Sequence, residues 1–158
     1  MGRLALLFVA LLSAGIGAGS AYATYFDLDQ ADSTPAFWVA HLQHAVRHIG
    51  IPLFVVQPVA ALASFASAAL SRRDRPSFWF LIAGGVSLVV AALVTRLGNL
   101  PINFEFETWD ADALPANVAE VQQRWWSFHV VRCVLLVVAM SALILGTLTR
   151  RPETRATT

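Results

Sequence analysis

The sequence predicts an all-α fold, a four-transmembrane-helix bundle with two longer outer loops. Three observations predict it. First, 57% of the 158 residues are hydrophobic and 13% are charged, too little charge to cover a soluble domain of this size. Second, the apolar residues gather in four runs, each near the ~20 residues that cross a bilayer core as a helix. Third, the longest connections, about residues 26–48 and 96–125, are too short for an independent domain. The chain therefore reads as one integral membrane domain, residues 1–158, with spans at about 4–25, 49–70, 78–95 and 126–148. Its first partner is the lipid bilayer. Disorder is excluded, because disordered chains are poor in apolar residues. A net charge of +1 without a basic tract argues against a nucleic-acid partner. Cys133 stands alone, which excludes an internal disulfide and zinc sites built on cysteine pairs.

The first run opens at Leu4 behind Arg3 and stays apolar to about Tyr25. Ala21-Tyr22-Ala23 also has the small-x-small pattern of a signal-peptide exit. Two readings follow, a retained helix and a cleaved leader. The retained helix is the expectation, since the run is long enough to span and Gly15 and Gly19 have GxxxG spacing. The second helix starts at Ser33-Thr34-Pro35, a capping hydroxyl before a first-turn proline. Continued to Leu70 it would be ~54 Å long, well beyond one bilayer. Gly50, Pro52 and Pro58 offer break points, and a kink is expected near Gly50–Pro52. Ala83-Gly84-Gly85 allows close contact in the third span. After it, Gly98 and Pro101 forbid a regular helix. A short helix is expected after Pro115, with Glu120 and Arg124 paired at i, i+4.

Charge sorting gives orientation. Arg3, Arg72, Arg73, Arg75, Arg150, Arg151 and Arg155 fall on one side if four helices alternate. Arg47, Arg96 and Arg124 fall on the other, diluted by Asp27, Asp29, Asp32, Glu105, Glu107, Asp110, Asp112 and Glu120. The positive-inside rule puts both termini in the cytoplasm and the long loops outside a plasma or inner membrane. Trp38, Trp109, Trp125 and Trp126 are expected at the outer interface and Trp79 at the inner one.

All four histidines fall at the outer end. His41, His44 and His48 share one helical face. His44 and His48 can hold a metal between them, with Glu105 or His129 as third ligand; the bland reading is a polar face at the water boundary. The spacing does not choose between iron and copper. Arg132 is more informative. An ionisable group inside a span costs at least ~2.5 kcal/mol unless it faces a cavity or partner. Snorkelling is its bland reading. Trp125, His129 and Arg132, at i, i+4 and i+7, instead make a stripe facing the bundle. Asn99, Pro101 and Asn103 form a structured turn, from which Asn103 and Glu105 point back into the bundle mouth. The candidate catalytic residues are His48, His129, Arg132, Asn103 and Glu105; the candidate substrate-binding residues are Trp125 and Asn99; the candidate metal ligands are His44, His48 and His129. Cys133 reads as a small buried apolar residue.

Asn99-Leu100-Pro101-Ile102-Asn103, then Arg124-Trp125-Trp126-Ser127-Phe128-His129-Val130-Val131-Arg132, resembles the signature of the anthrone oxygenase-like family of small four-helix membrane proteins. That family has an Asn-x-Pro-x-Asn turn after its third helix. Its fourth helix opens with Arg-Trp, has Asn or His four residues after the Trp, and Arg three later. The specific motifs lie within residues 99–132, and the first half matches in outline only. Cys133 stands where threonine often follows the last arginine. Most bacterial proteins resembling the family have no assigned substrate. The resemblance implies a monooxygenase that oxidises an activated methylene of an apolar, polyketide-like aromatic to the quinone carbonyl, with dioxygen as co-substrate. His129 or His48 would take the methylene proton, and Arg132 would stabilise the phenolate-like anion. A metal is compatible with this reading, and so is a homo-oligomer. Two other classes stay open: a non-catalytic membrane subunit or scaffold, and a haem or quinone redox protein with His48 and His129 as axial pair.

Overall fold

A computed structural model describes residues 2–27 and 34–150. Among these the chain is helical with no strand. Helix α1 covers Gly2–Asp27, α2 Pro35–Ala69 and α3 Arg75–Val94. A π-helical turn, Thr95–Asn99, leads directly into α4, Leu100–Phe106. Helix α5 covers Val118–Leu148. Four stretches are long and apolar enough to cross a membrane: Gly2–Asp27, Pro52–Ala69, Arg75–Phe106 and Val118–Leu148. About a third of each is buried within the protein, between 28% and 33% of its most apolar window. The outward faces are apolar too, with Leu12, Ile16, Val55, Leu62, Val90 and Val138 exposed. This is the surface a bilayer requires of an integral membrane protein.

The helices alternate in direction. Helix α1 packs on α2 and α5, and α3 packs on the same two, so α1 and α3 occupy opposite corners. Arg3, Arg72, Arg73, Arg75 and Arg150 gather at one end, with Arg3 donating to Ser77 at 3.3 Å. His41, His44 and His48 lie at the other. These are called here the arginine end and the histidine end. Asp29, Asp32, Ser33, Arg151 and Arg155 lie outside the described residues.

The arginine half closes on small residues. Ala10, Ala14, Gly17 and Ala21 are the buried stripe of α1. This replaces the expected Gly15/Gly19 pair, of which Gly19 is exposed with nothing near it. The buried stripe follows the same 3–4 residue spacing on a neighbouring face. Gly84 and Gly146 of the opposed α3 and α5 meet Leu143 and Leu81. Ser64 donates to the Leu81 carbonyl at 2.7 Å and Ser77 to the Gly146 carbonyl at 2.6 Å, linking α2 to α3 and α3 to α5. Without a hydrophobic force between helices in lipid, such close approach and side-chain hydrogen bonds hold the bundle.

The connections are more helical than the sequence suggested. Thr34 caps α2, its hydroxyl accepting from the Phe37 amide at 3.3 Å. The helix then runs unbroken through Gly50, Pro52 and Pro58 to Ala69, although its membrane-compatible stretch begins only at Pro52. Its first turns project beyond that stretch. The expected turn at Pro101 is likewise part of a helix. Proline offers no N–H to the Leu97 carbonyl, and the chain widens by one residue per turn just before it, the Leu100 amide reaching Thr95. The expected short helix after Pro115 merges with the fourth span, and Arg124 pairs with Glu105 at 3.3 Å.

Candidate functional site

At the histidine end the helices spread around a cavity of about 570 Å³. Residues of every helix line it, from Gly17, Ala21 and Thr24 of α1 to Trp125, Arg132 and Leu136 of α5. Its walls are mainly apolar: Leu42, Leu53, Ala92 and Leu100 contribute. Phe54 and Phe104 line it while remaining 53% and 61% exposed, so the opening between α2 and α4 has apolar edges.

The polar part is built from α5 outward. Trp125, His129 and Arg132 rise along one face, as i+4 and i+3 spacing dictates. The Trp125 and His129 rings stack at 4.7 Å and 12°. His129 is fully buried. Its Nε2 lies 3.1 Å from the Ala21 carbonyl, which can only accept, so that nitrogen carries the proton. Its Nδ1 then accepts from a terminal nitrogen of Arg132 at 2.8 Å. The imidazole is thus a fixed linker between α1 and the guanidinium. Cys133 Sγ sits 3.5 Å from the same Nε2 and is buried. The Arg132 Nε is buried with no partner, as is the Gln57 Nε2 across the cavity. Both are donors, and each needs an acceptor that the described residues do not provide.

Helix α4 supports this face. Trp125 Nε1 donates to Asn103 Oδ1 at 2.8 Å, and Asn99 Nδ2 donates to the Trp125 carbonyl at 3.1 Å. Asn99 is buried behind Trp125, whereas Asn103 and Trp125 reach the cavity. Gln43 of α2 donates to the Phe106 and Trp109 carbonyls at 2.8 and 3.0 Å, fastening the end of α4 and the turn after it to α2. Trp38, expected at the interface, is instead buried edge-on against Phe106 and Trp125 at 5.6 and 5.9 Å. Trp125 is buried as well, while Trp126 stacks on Tyr25 at 4.9 Å and Trp79 is exposed at the arginine end.

Of the residues singled out in the sequence, the structure brings Asn103, Trp125 and Arg132 to one cavity, with Asn99 and His129 directly behind them. Glu105 faces elsewhere. It pairs with Arg124 beside Leu97 and Phe128 in a separate surface hollow. His44 and His48 are exposed, stack on each other at 4.1 Å and do not line the cavity. His48 Nδ1 bonds the His44 carbonyl at 2.8 Å, and His41 lies 4.0 Å from Asp27. No cluster of three or more His, Cys, Asp or Glu side chains able to hold a metal occurs among the described residues. The sequence reading missed Arg47, Gln57, Arg96 and Glu107, all of which line the cavity, Arg47 lying 4.0 Å from Glu107. Glu107 follows Asn103, and Asn103 follows Asn99, by four residues, a spacing that becomes a signal only once the chain is known to be helical there.

The family model described as anthrone oxygenase matches residues 41–142, a stretch holding α2 from His41 onward, α3, α4 and most of α5. No curated protein and no solved structure matches the chain.

Proposed function

Since the chain belongs to the anthrone oxygenase family, we propose that it oxidises an activated methylene of an apolar, polyketide-like aromatic to a carbonyl, with dioxygen as co-substrate. The observation that carries this reading is Arg132, a guanidinium in the wall of an apolar cavity with its Nε lacking a partner. A volume of about 570 Å³ falls in the range that encloses a small organic ligand. Phe54 and Phe104 at the opening suit a substrate that arrives dissolved in lipid. The arrangement fits a membrane oriented with the arginine end in the cytoplasm, as the positive-inside rule requires.

The chemistry uses the cavity directly. An anthrone methylene is acidic because its carbanion spreads into two aromatic rings and a carbonyl. When its C–H bond breaks, the electron pair moves toward that carbonyl oxygen and makes it phenolate-like. A fixed cation in a water-poor site stabilises such developing charge more than water does, because it needs no reorganisation. The anion then passes electrons to dioxygen, a C–O bond forms and the O–O bond breaks. The methylene's two hydrogens leave with the second oxygen as water. His129 acts in this scheme as a positioning residue: with both ring nitrogens engaged, it aims Arg132. Asn103 and Asn99 hold the indole against which His129 stacks.

The test uses the full chain purified in detergent, anthrone under air, and parallel recording of quinone absorbance and oxygen uptake. One dioxygen consumed per quinone is expected, and Arg132→Ala loses about 10²–10³-fold in kcat/KM. Oxidation no faster than the protein-free background, or full activity in Arg132→Ala, overturns the reading.

A further inference from the structure

We propose that Glu107 is the general base that takes the methylene proton, an assignment that rests on the oxygenase reading above. A base must have a free lone pair at the cavity. Arginine, glutamine, asparagine and threonine do not provide one of useful basicity. The His129 ring meets the Ala21 carbonyl and Arg132 with its two nitrogens. His48 does not line the cavity, and Glu105 lies in another hollow with Arg124. Glu107 is the one carboxylate among the described residues that line the cavity.

Its placement is set by the backbone. The Glu107 amide bonds the Asn103 carbonyl at 3.1 Å, so Glu107 sits one turn beyond Asn103 on the same face of α4. Asn103 holds Trp125, whose ring stacks on the histidine that positions Arg132. Base and anion-stabilising cation thus belong to one connected frame on neighbouring helices. The Glu107 side chain is 33% exposed, and Arg47 lies 4.0 Å away at the opening. That exposure lets the carboxyl hand its proton to water after each turnover. In the step itself the methylene C–H breaks, the proton passes to a Glu107 carboxylate oxygen, and the electron pair stays on the ring system beside Arg132. Dioxygen, already named as oxidant, takes the electrons afterwards.

The proton step can be read without the oxidation. Anthrone is held with the full-length protein in D₂O without oxygen, and deuterium gain at the methylene is followed by mass spectrometry; quinone formation is measured separately under air. Glu107→Gln is expected to lower both rates by about 10²-fold or more. Affinity for the quinone product, measured by fluorescence quenching, stays within a few-fold and shows that the variant is folded. Charged groups facing Glu107 across the cavity are Arg47 on α2, Arg96 on the π turn and Arg132 on α5, with none among the α1 lining residues. Raising the pH until free anthrone is ionised is expected to restore much of the Glu107→Gln oxidation rate, because no base is then needed. Exchange at the wild-type rate in Glu107→Gln overturns the assignment while leaving the oxygenase reading intact. So does loss of oxidation with exchange preserved. A wild-type protein that neither exchanges nor oxidises anthrone overturns both.

Discussion

The two halves of this bundle are built from the same apolar alphabet and do opposite things. In the arginine half, Gly84, Gly85 and Gly146 with Ser64 and Ser77 let α2, α3 and α5 meet closely, and each short hydroxyl is spent on a carbonyl of a neighbouring helix. In the histidine half, α3 widens into the π turn and continues as α4, and the helices stand apart around a cavity. Polar groups there are longer, and among the described residues three buried donors, on Arg132, Gln57 and Trp38, stay without partners, against Ser67 in the arginine half. A tight half holds the frame so that an open half can keep buried polarity available for a ligand. The contrast predicts that substitutions in the open half change rate more than stability, and substitutions in the tight half the reverse.

The largest effect is expected at Arg132. Arg132→Lys keeps a positive charge but loses the planar fork that reaches His129 and presents a second edge to the cavity. The expected loss in kcat/KM is about 10²–10³-fold, close to that of Arg132→Ala. A lysine variant with near wild-type turnover would show that charge alone suffices and that the His129 support is irrelevant.

Gly98 tests the seam where the two halves join. A Cβ there would lie 2.5 Å from Phe128 Cγ, the ring atom nearest the α5 backbone. The ring cannot swing clear without moving α4 against α5. Gly98→Ala is expected to cost about 1–3 kcal/mol by overpacking, seen as a lower midpoint of thermal unfolding. It should also lower turnover by up to about 10²-fold, since a shift near 1 Å between catalytic groups has that effect. Removing the ring in Gly98→Ala/Phe128→Ala should recover part of the rate. Gly85 makes the useful contrast: its added Cβ meets only the far rim of Phe65, at 2.7 Å, where a small ring tilt relieves the contact.

These elements also show what the sequence made legible. Span number and class followed from run length and charge, because a bilayer leaves few alternatives. Along α5 the stripe of Trp125, His129 and Arg132 was readable, since helical spacing fixes which residues share a face. The acid facing the cavity was not. Glu105 and Glu107 are two residues apart and therefore point to nearly opposite sides of a helix. Choosing between them requires knowing that the chain stays helical through Pro101, and that a π turn has shifted its phase. No pattern of apolar residues reports that. The histidine face of α2 was misplaced although a pattern was present: in the turns before the membrane-compatible stretch, Trp38, Leu42 and Val46 share one face and His41, His44 and His48 another, so the apolar face turns to the bundle. Trp38, buried rather than interfacial, carries the same lesson.

A smaller effect is expected in the tight half. Ser64→Ala removes the hydrogen bond to the Leu81 carbonyl and leaves the close helix contact in place. Interhelical side-chain bonds of this kind contribute about 0.6 kcal/mol on average, since the unfolded chain in lipid also finds partners. A small drop in unfolding midpoint with unchanged kcat/KM fits. A substantial loss of activity would mean that the cavity is coupled to the arginine half.

The smallest effect is expected at His48, and it separates two histidines that the sequence presented as equals. His129 is sealed in the core with both ring nitrogens committed. His48 is exposed, stacked on His44 and off the cavity wall. His48→Ala should therefore behave as a surface change, within about 0.5 kcal/mol in stability and about twofold in kcat/KM. If it instead abolished turnover, the reacting centre would have to lie on the histidine face of α2. The cavity between α2, α4 and α5 would then be a lipid-facing cleft, and Arg132 a structural cation tied to His129 alone.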